Sequence, residues 1–413
     1  MTESGPGGGS LCNHGGPEEW RLPVVRDDPF ALPDAYRKMA AAGPIHRATV
    51  PNGKQVWVVT RHSEGRKLLT DARITADRAH PNFPSFDQDS SPALISGDDP
   101  FLVSMDPPQH TRSRNELKKE FEQRRIREFA PRVQSIVDEA ITELMAGPQP
   151  ADLVAGLALR VPSRVICELL GVPYADHTYF ESRTPALIDT TIAPDERIAA
   201  FTEVHGYLTE LVAKQEAAPT DDIIGRYIGA ARERGDYRRE TLISHAFLLL
   251  IAGHETTANQ IALSVLALLL KPELRERFMR AQGELAGPVD ELLRFFTIVD
   301  SVFRVATADI DIAGARIRAG DGIVVACSIA NRDPGVFATA DDLDLAQGDK
   351  RHLAFGFGAH QCLGQGLARL EVELVLRSVL ARLPGLALAV PAAELRYKGA
   401  TSAFGVEWMP VTW

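Results

Sequence analysis

The sequence lacks closely paired cysteines, long apolar runs and an excess of positive charge. Its four cysteines stand at positions 12, 167, 327 and 362, and this wide spacing argues against a zinc ribbon or a disulfide framework. No stretch reaches the roughly 20 uninterrupted apolar residues that a membrane-spanning helix needs. The net charge of −10 disfavours a nucleic-acid partner. Together these absences predict a protein of the reducing cytoplasm that binds neither membrane nor nucleic acid.

The first 20 residues are rich in glycine and also lack apolar periodicity. They contain no basic segment followed by an apolar run, so they do not resemble a signal peptide. We expect residues 1–20 to form a disordered extension. The rest of the 413-residue chain, in which 45% of residues are hydrophobic, is long enough for a large core, and we expect 21–413 to be a single domain.

Apolar residues recur mainly at helical spacing. This pattern prevails between about 112 and 285 and returns after position 362. β-Branched residues alternate between 301 and 327, and shorter strand patterns occur at 56–60 and after 386. Residues 77–108 are dense in Pro, Ser, Asp and Asn, which predicts a long and therefore functional irregular segment. The sequence predicts a mainly α-helical protein with small β-sheets.

One cysteine follows a glycine-punctuated loop, Phe355-Gly-Phe-Gly-Ala-His360-Gln-Cys362-Leu-Gly364. The helical spacing that follows predicts a helix from 363 to 383 and places Cys362 in its first turn. Unpaired backbone N–H groups and the helix dipole favour a thiolate at such a position. A thiolate there could bind a soft or borderline metal, act as a nucleophile or serve as a redox sensor.

A helix predicted from about 241 to 270 contains Ala252-Gly-His-Glu255-Thr256-Thr257 at its centre. Glycine costs about 1 kcal/mol there relative to alanine, and a carboxylate is a poor choice for a buried helix. The cost suggests a function, in which Glu255 and Thr256 pass protons to a reaction centre. An irregular core helix with a satisfied polar patch is an equally open interpretation of this motif alone.

Two further features are weak in isolation. Glu291 and Arg294 share one helical face and would contribute only a few tenths of a kcal/mol at a surface. A basic run between 112 and 127 is typical of a solvated helix face. Its cations are Arg112, Arg114, Lys118, Lys119, Arg124, Arg125 and Arg127.

These motifs, in this order, resemble the cytochrome P450 family. The resemblance extends from about residue 20 to 413, and its details are similar to the soluble, ferredoxin-dependent actinobacterial branch of secondary-metabolite and xenobiotic hydroxylases. It implies the P450 fold, a triangular prism that buries haem b (iron protoporphyrin IX) between a long central helix and the cysteine-bearing helix. The implied enzyme is a haem-thiolate monooxygenase.

The resemblance also implies roles for the candidate residues. Cys362 would be the axial thiolate of the haem iron, in a loop that includes Phe355 and Gly364. Glu255 and Thr256 would deliver protons on the distal side, and Glu291 with Arg294 would be scaffolding. The cations expected to bind the haem propionates are His110, Arg114, Arg304 and His360.

One departure from the family concerns the Glu-x-x-Arg network. The family commonly completes this network with an arginine ahead of the cysteine loop, but this chain has Ala340-Asp-Asp-Leu-Asp344 there. We expect another group or backbone carbonyls to close the network.

The resemblance implies partners as well. The expected oxidant is O₂, and the electrons would pass from NAD(P)H through ferredoxin reductase and an acidic ferredoxin to a monomeric enzyme. We hypothesise that Arg112, Lys118, Arg124 or Arg125 contributes to ferredoxin docking.

The expected reaction is hydroxylation or epoxidation of a medium or large, mostly apolar organic molecule. The pocket segments implied by the family are 77–104, 175–200 with its polar Asp189-Thr190-Thr191, 248–252, 298–303 and 402–404.

Two other functions remain open from the sequence. A haem-binding sensor or carrier would not turn over, although it would have no need for Glu255 and Thr256. A haem-free enzyme could use Cys362 as a nucleophile, although His360, two residues away in a turn, is poorly aimed to act as its base.

Overall fold

A computed structural model describes residues 19–86, 100–188, 192–281, 285–399 and 403–413. The predicted disorder of residues 1–18, the polar stretch 189–191, part of the irregular segment (87–99) and position 402 lie outside the described residues. The expectation that the mobile extension reaches Trp20 is wrong, because Trp20 pairs with Ala48 in a parallel β-bridge.

The fold is mainly helical, as predicted. The irregular segment contains a 3₁₀ turn at Leu102–Ser104. A short π-helix at Val154–Ala158 precedes α5. The helices of the described residues are α1 Asp34–Ala42, α2 His62–Leu69, α3 Gln109–Lys118, α4 Gln123–Ala146, α5 Arg160–Leu170, α6 His177–Ile188, α7 Pro194–Ala217, α8 Ile223–Arg234, α9 Arg239–Leu270, α10 Pro272–Arg280, α11 Ala286–Phe296, α12 Cys327–Ala330 and α13 Gln365–Arg382.

Within the part of the chain that the structure describes, three small sheets accompany the helices. The largest has six strands in the order β1-β2-β3-β9-β6-β4, the second has the order β10-β11-β5, and β7 and β8 form a hairpin. The strands are β1 Trp20–Arg21, β2 Ile45–Thr49, β3 Gln55–Val59, β4 Ile74–Thr75, β5 Ala151–Asp152, β6 Ser301–Ala306, β7 Ile310–Ile312, β8 Ala315–Ile317, β9 Gly322–Ala326, β10 Ala387–Leu388 and β11 Pro410–Thr412.

Helix α9 is the longest helix of the described chain, with 32 residues. Apolar residues occur all around it, which is typical of a helix buried on every side. It packs against α5, α7 and α13. A Cβ added at Gly253 would be in van der Waals contact with the side chain of Ile166 on α5. The centre of α9 is therefore held by its neighbours on several sides.

The cysteine loop leads into α13, which begins at Gln365. The prediction that Cys362 lies in the first turn is therefore wrong by three residues, because Gly364 at φ −81° and ψ 7° is the last residue before the helix. Apolar residues of α13, such as Val372 and Val375, are buried against α4, α9 and α11. In the described parts of the chain, every helix is too short or too polar to cross a bilayer.

Candidate active site

The loop that carries Cys362 has a shape that glycine makes possible. Gly356 and Gly358 adopt φ values of 66° and 77°, a region that residues with a Cβ rarely enter. At Gly358 a Cβ would also overlap the carbonyl of Leu69 at the end of α2. The backbone N–H of Cys362 donates to the carbonyl of Phe355 at 2.8 Å. The loop is thus closed on itself and seated on α2.

The Cys362 sulfur is subject to opposing influences. Burial raises the pKa of the Cys362 thiol, while the backbone N–H groups of Gly364 and Gln365 and the charge of Arg114 lower it. The net direction is upward, because burial outweighs the N–H groups, whose lowering of the pKa is the effect that the sequence predicted. A thiol of this kind is a weak free nucleophile. Coordination to a metal ion would supply the charge needed for deprotonation.

Cations predicted to share a site do converge beside this loop. The imidazole rings of His110 on α3 and His360 lie 4.0 Å apart between centroids. Arg114, one turn after His110, donates from Nη2 to the carbonyl of Gln361 at 2.6 Å. Arg304 comes from β6 and influences both histidines electrostatically. Three separate segments therefore bring nitrogen groups of histidine and arginine to one place, and the guanidinium groups of Arg114 and Arg304 supply its positive charge.

The electrostatics of this cluster indicate that an anion fits. Burial and the positive charge of Arg78 lower the pKa of Arg304 to about 10. Burial, together with Arg304, His110 and Arg114, lowers the pKa of His360 to about 3. Among the described residues no carboxylate forms an ion pair with Arg304 or Arg114, and His110 Nε2 is buried without a hydrogen-bond partner. The donors present suit the two propionates of a haem bound at Cys362.

Phe355 supports the base of the loop. The guanidinium of Arg369 on α13 lies 4.6 Å from the centroid of the Phe355 ring. The same guanidinium donates to Asp290 of α11 at 2.6 Å, and the His352 ring lies 5.9 Å from Phe355. The ring is fixed between α11 and α13 by a cation–π contact and by packing.

The centre of α9 presents a strip of small side chains. Thr256 Oγ1 donates to the carbonyl of Ala252 at 2.7 Å. Ala252 is exposed and Gly253 and Thr256 are half-buried, although residues 254–255 and 257–268 are buried. The strip leaves free space beside a hydroxyl within the longest helix.

Glu255, next to that strip, is buried and unequally hydrogen-bonded. Lys398 Nζ donates to Glu255 Oε1 and, at 3.3 Å, to Asn259 Oδ1. Glu255 Oε2 is buried without a hydrogen-bond partner among the described residues. Lys398 and Asn259 were not predicted as site residues from the sequence. A single lysine in the C-terminal tail belongs to no motif.

The Glu-x-x-Arg network is closed without a further arginine side chain. Arg294 forms two 2.8 Å hydrogen bonds with Glu291. Its remaining N–H groups donate to the carbonyls of Asn331, Ala340 and Asp342 at 2.8–2.9 Å. The expectation of closure by backbone carbonyls is confirmed.

The carboxylate of Glu291 receives two more donors, which sequence reasoning did not identify. These are the backbone N–H of Asp344 at 3.0 Å and Gln347 Nε2 at 3.3 Å. The stretch that lacks the usual arginine therefore contributes its backbone instead.

In the basic run, two of the acidic residues form hydrogen bonds with α8 and not with the neighbouring cations. Glu116 binds Arg234 and Tyr227, and Glu120 binds Arg226, all on α8. The exposed cations are Arg112, Lys118, Lys119, Arg124 and Arg127. Of these, Arg124 forms a 3.8 Å ion pair with Glu128. The five exposed cations fit the interpretation of the run as a solvated helix face.

Comparison with known proteins gives consistent results. The family model described as Cytochrome P450 matches residues 196–384. The vitamin D3 dihydroxylase of Streptomyces griseolus is 43% identical over 396 residues, which is 95% of this chain and 96% of the relative.

Solved structures extend the similarity to the whole fold. The crystal structure of cytochrome P450 MoxA from Nonomuraea recticatena has a TM-score of 0.90 at 43% identity and covers 95% of this chain and 98% of its own. The mycinamicin VIII C21 methyl hydroxylase MycCI of Micromonospora griseorubida, bound to mycinamicin VIII, has a TM-score of 0.89 at 37% identity and covers 95% and 100%.

Proposed function

The chain belongs to the cytochrome P450 family and is a monooxygenase, and we propose that it uses O₂ to hydroxylate or epoxidise a medium or large, mostly apolar organic molecule. Two relatives support this proposal by their names, which describe hydroxylation of vitamin D3 and of mycinamicin VIII. We also propose that it acts in the cytoplasm, in natural-product biosynthesis or xenobiotic oxidation, as a monomer.

In this proposal, haem b is held by Cys362 as the metal ligand and by the cations beside it. The bound haem would supply O₂ activation and electron transfer to oxygen. His110, Arg114, Arg304 and His360 would bind its propionates. The observation that carries the proposal is this convergence of histidine and arginine side chains, the arginines without carboxylate partners among the described residues, beside a partly buried cysteine. Phe355 and Gly364 would shape the loop around the sulfur.

On the distal side, Glu255 and Thr256 would handle protons. The hydroxyl of Thr256 is held by the Ala252 carbonyl at 2.7 Å, so its oxygen is free to accept a hydrogen bond from a water in the adjacent space. Glu255 would accept protons arriving from solvent and pass them to this water. Glu255 is ionised again after each transfer, so it can act in every turnover.

The apolar character of the proposed substrate follows from the described pocket segments. Phe101 stacks on Phe247 at 5.5 Å between ring centroids. Val299 is exposed, as is Ala252. Aromatic and small apolar side chains of this kind bind apolar surface and leave orientation to a few polar groups.

We propose that the exposed cations of α3 and α4 dock an acidic ferredoxin, which in turn is reduced by NAD(P)H through ferredoxin reductase. The support is that two acids of the same run, Glu116 and Glu120, are paired with α8, which leaves an excess of positive charge at the surface. On a chain of net charge −10, this local patch would steer an acidic partner.

The docking proposal has a matched test on two surface ion pairs. Arg124 pairs with Glu128, and Arg280 on α10 pairs with Glu276; both arginines are about four-fifths exposed and both pairs span four residues. Arg124→Glu should raise the KM for ferredoxin several-fold and weaken its salt dependence. Arg280→Glu should change neither. Equal effects of the two substitutions would contradict docking at this surface.

The decisive test of the haem-thiolate assignment is the spectrum of the reduced, carbon-monoxide-bound protein. Its Soret band moves far to the red only when a thiolate is the axial ligand. Wild type should show this band, and Cys362→Ala should lose it while retaining the far-UV circular dichroism of the fold. A red-shifted band that survives in Cys362→Ala would disprove the assignment. Oxidation of an organic molecule by the wild-type protein with electrons from ferredoxin would then identify an enzyme, because a sensor or carrier would not turn over.

A further inference from the structure

The buried carboxylate of Glu255 is paired with a lysine from a distant part of the chain. Lys398 Nζ donates to Glu255 Oε1 and to Asn259 Oδ1, so one ammonium bridges two successive turns of α9. The side chain of Glu255 is 5% exposed and that of Lys398 is 22% exposed. The ion pair thus extends from the interior of the protein to its surface.

The position of Lys398 is fixed by backbone contacts. Its N–H donates to the carbonyl of Gly405 at 2.8 Å. Asn259 Nδ2 donates to the carbonyl of Ala403 at 3.2 Å. Gly405 packs so closely on Asn259 that a Cβ would overlap the amide side chain. The C-terminal segment therefore sits directly on α9, and this contact sets where the ammonium reaches.

The second carboxylate oxygen is left without a partner. Glu255 Oε2 is buried and accepts no hydrogen bond from the described residues. A buried carboxylate oxygen without a donor is destabilising, because burial removes the water that would otherwise bind it. An unpaired oxygen of this kind is expected where it binds a mobile donor, such as water, during function. The next residue, Thr256, borders the open strip of α9.

We propose that Lys398 is a positioning residue that holds Glu255 in place for proton delivery, an inference that rests on the proposed monooxygenase function. Lys398 neutralises the buried charge through Oε1 and leaves Oε2 for proton transfer. A proton from a solvent water binds Oε2 and then passes to a water beside Thr256, which regenerates the carboxylate. Lys398 keeps its own proton throughout.

The first test measures stability and is independent of turnover. Lys398→Met should lower the urea midpoint of unfolding of the holoprotein, because it strands a buried carboxylate. Adding Glu255→Gln to Lys398→Met should recover at least half of that loss. Lys67→Met, which removes the lysine of an exposed pair with Glu64, should leave the midpoint unchanged. Additive losses in the double variant would overturn the pairing.

The second test measures proton delivery, with O₂ as the probe. In ferredoxin-driven turnover without organic substrate, Lys398→Met should raise the fraction of O₂ released as hydrogen peroxide at least twofold and increase the solvent deuterium isotope effect. Lys398→Arg should restore both values toward wild type. A purely structural role would leave the isotope effect unchanged, and that result would disprove the proposal.

A third variant separates geometry from charge. Gly405→Ala keeps Lys398 but pushes the C-terminal segment away from Asn259, so it should raise the peroxide fraction in the same direction as Lys398→Met. An unchanged peroxide fraction would contradict the proposed positioning. The carbon-monoxide spectrum tests the monooxygenase proposal separately from the role of Lys398. A wild type without the thiolate band refutes the monooxygenase proposal, whereas the stability test still shows whether Lys398 and Glu255 form an ion pair.

Discussion

Two buried glutamates on neighbouring helices differ in how their carboxylates are bound. Glu291 of α11 accepts four hydrogen bonds, from Arg294 twice, from the backbone of Asp344 and from Gln347. Glu255 of α9 is bound at one oxygen by Lys398, and its other oxygen has no donor among the described residues. Both oxygens of the Glu291 carboxylate already accept hydrogen bonds, whereas Glu255 Oε2 can still accept one from a further donor.

The difference separates scaffolding from proton chemistry. A fully hydrogen-bonded buried ion pair is rigid, and removing one partner leaves a stranded charge. A half-bonded carboxylate can take up and release a proton with little rearrangement. The number of hydrogen bonds on a buried acid therefore predicts its role better than its burial does, since both glutamates are less than 5% exposed.

The same substitution at both glutamates should show the largest contrast. Glu291→Gln leaves Arg294 without an opposite charge in a fully buried site, so the free energy of unfolding should fall by about 3–5 kcal/mol. Glu255→Gln should cost about 1 kcal/mol, because Lys398 can reach water. Equilibrium urea unfolding of both variants checks the difference. Similar losses at the two positions would break the distinction.

Acid should affect the distal region through His254. Burial lowers the pKa of His254 to about 4, against an ordinary value near 6.5, with Glu255 opposing and Lys398 reinforcing the shift. As the pH falls from about 6.5 to 4, the unfolded chain binds a proton that the native state does not, so stability declines by about 3 kcal/mol at most. His254→Gln should flatten this part of the stability curve, while Gln347→Leu should not.

For the rate of turnover, the substitution at Glu255 should have the larger effect, which is the reverse of the order for stability. Glu255→Gln should slow ferredoxin-driven oxidation by about 100-fold, within the range for loss of a general acid–base group. Thr256→Ala should retain haem and ligand binding but divert electrons to peroxide. Glu291→Gln should retain wild-type turnover per bound haem in the fraction that remains folded. Rates normalised to the carbon-monoxide difference spectrum check this, and full coupling in Thr256→Ala would contradict a role in proton delivery.

The smallest effect around Glu291 concerns the longest bond to its carboxylate. Gln347→Leu removes a 3.3 Å hydrogen bond that is one of four to Glu291, together with the two that Gln347 Oε1 accepts from Thr339 at 3.0 and 2.9 Å, so the loss of stability should be about 2 kcal/mol. Thermal or urea unfolding measures it against wild type. A loss as large as that of Glu291→Gln would mean that Gln347, rather than the backbone carbonyls around Arg294, closes the network.

Sequence reasoning identified the parts of the site that local patterns encode. The glycines around Cys362 and the extent of α9 were predictable, since backbone shape and apolar periodicity are properties of neighbouring residues. The cations at 110, 114, 304 and 360 came from family resemblance. The start of α13 was predicted too early because Gly364 continues the loop.

Contacts between distant segments could not be read from the sequence. Lys398 meets Glu255 across 143 residues, and the contact depends on how Gly405 seats on α9. Gln347 and the carbonyls around Arg294 belong to an irregular stretch without periodicity. The rise in the pKa of Cys362 was missed for a related reason, because burial of the sulfur is a property of the assembled fold and outweighs the local N–H groups.

The long separation between Glu255 and Lys398 also has a consequence for synthesis of the protein on the ribosome. Helix α9, which ends at Leu270, is complete well before the lysine is translated, by roughly 6 to 26 seconds at about 5–20 residues per second. During that interval the acid has no cation to neutralise it, which disfavours its burial in the core. The emerging chain is therefore expected to keep the centre of this helix hydrated until its last segment arrives, and the proton-delivery side of the site would be the last part to close.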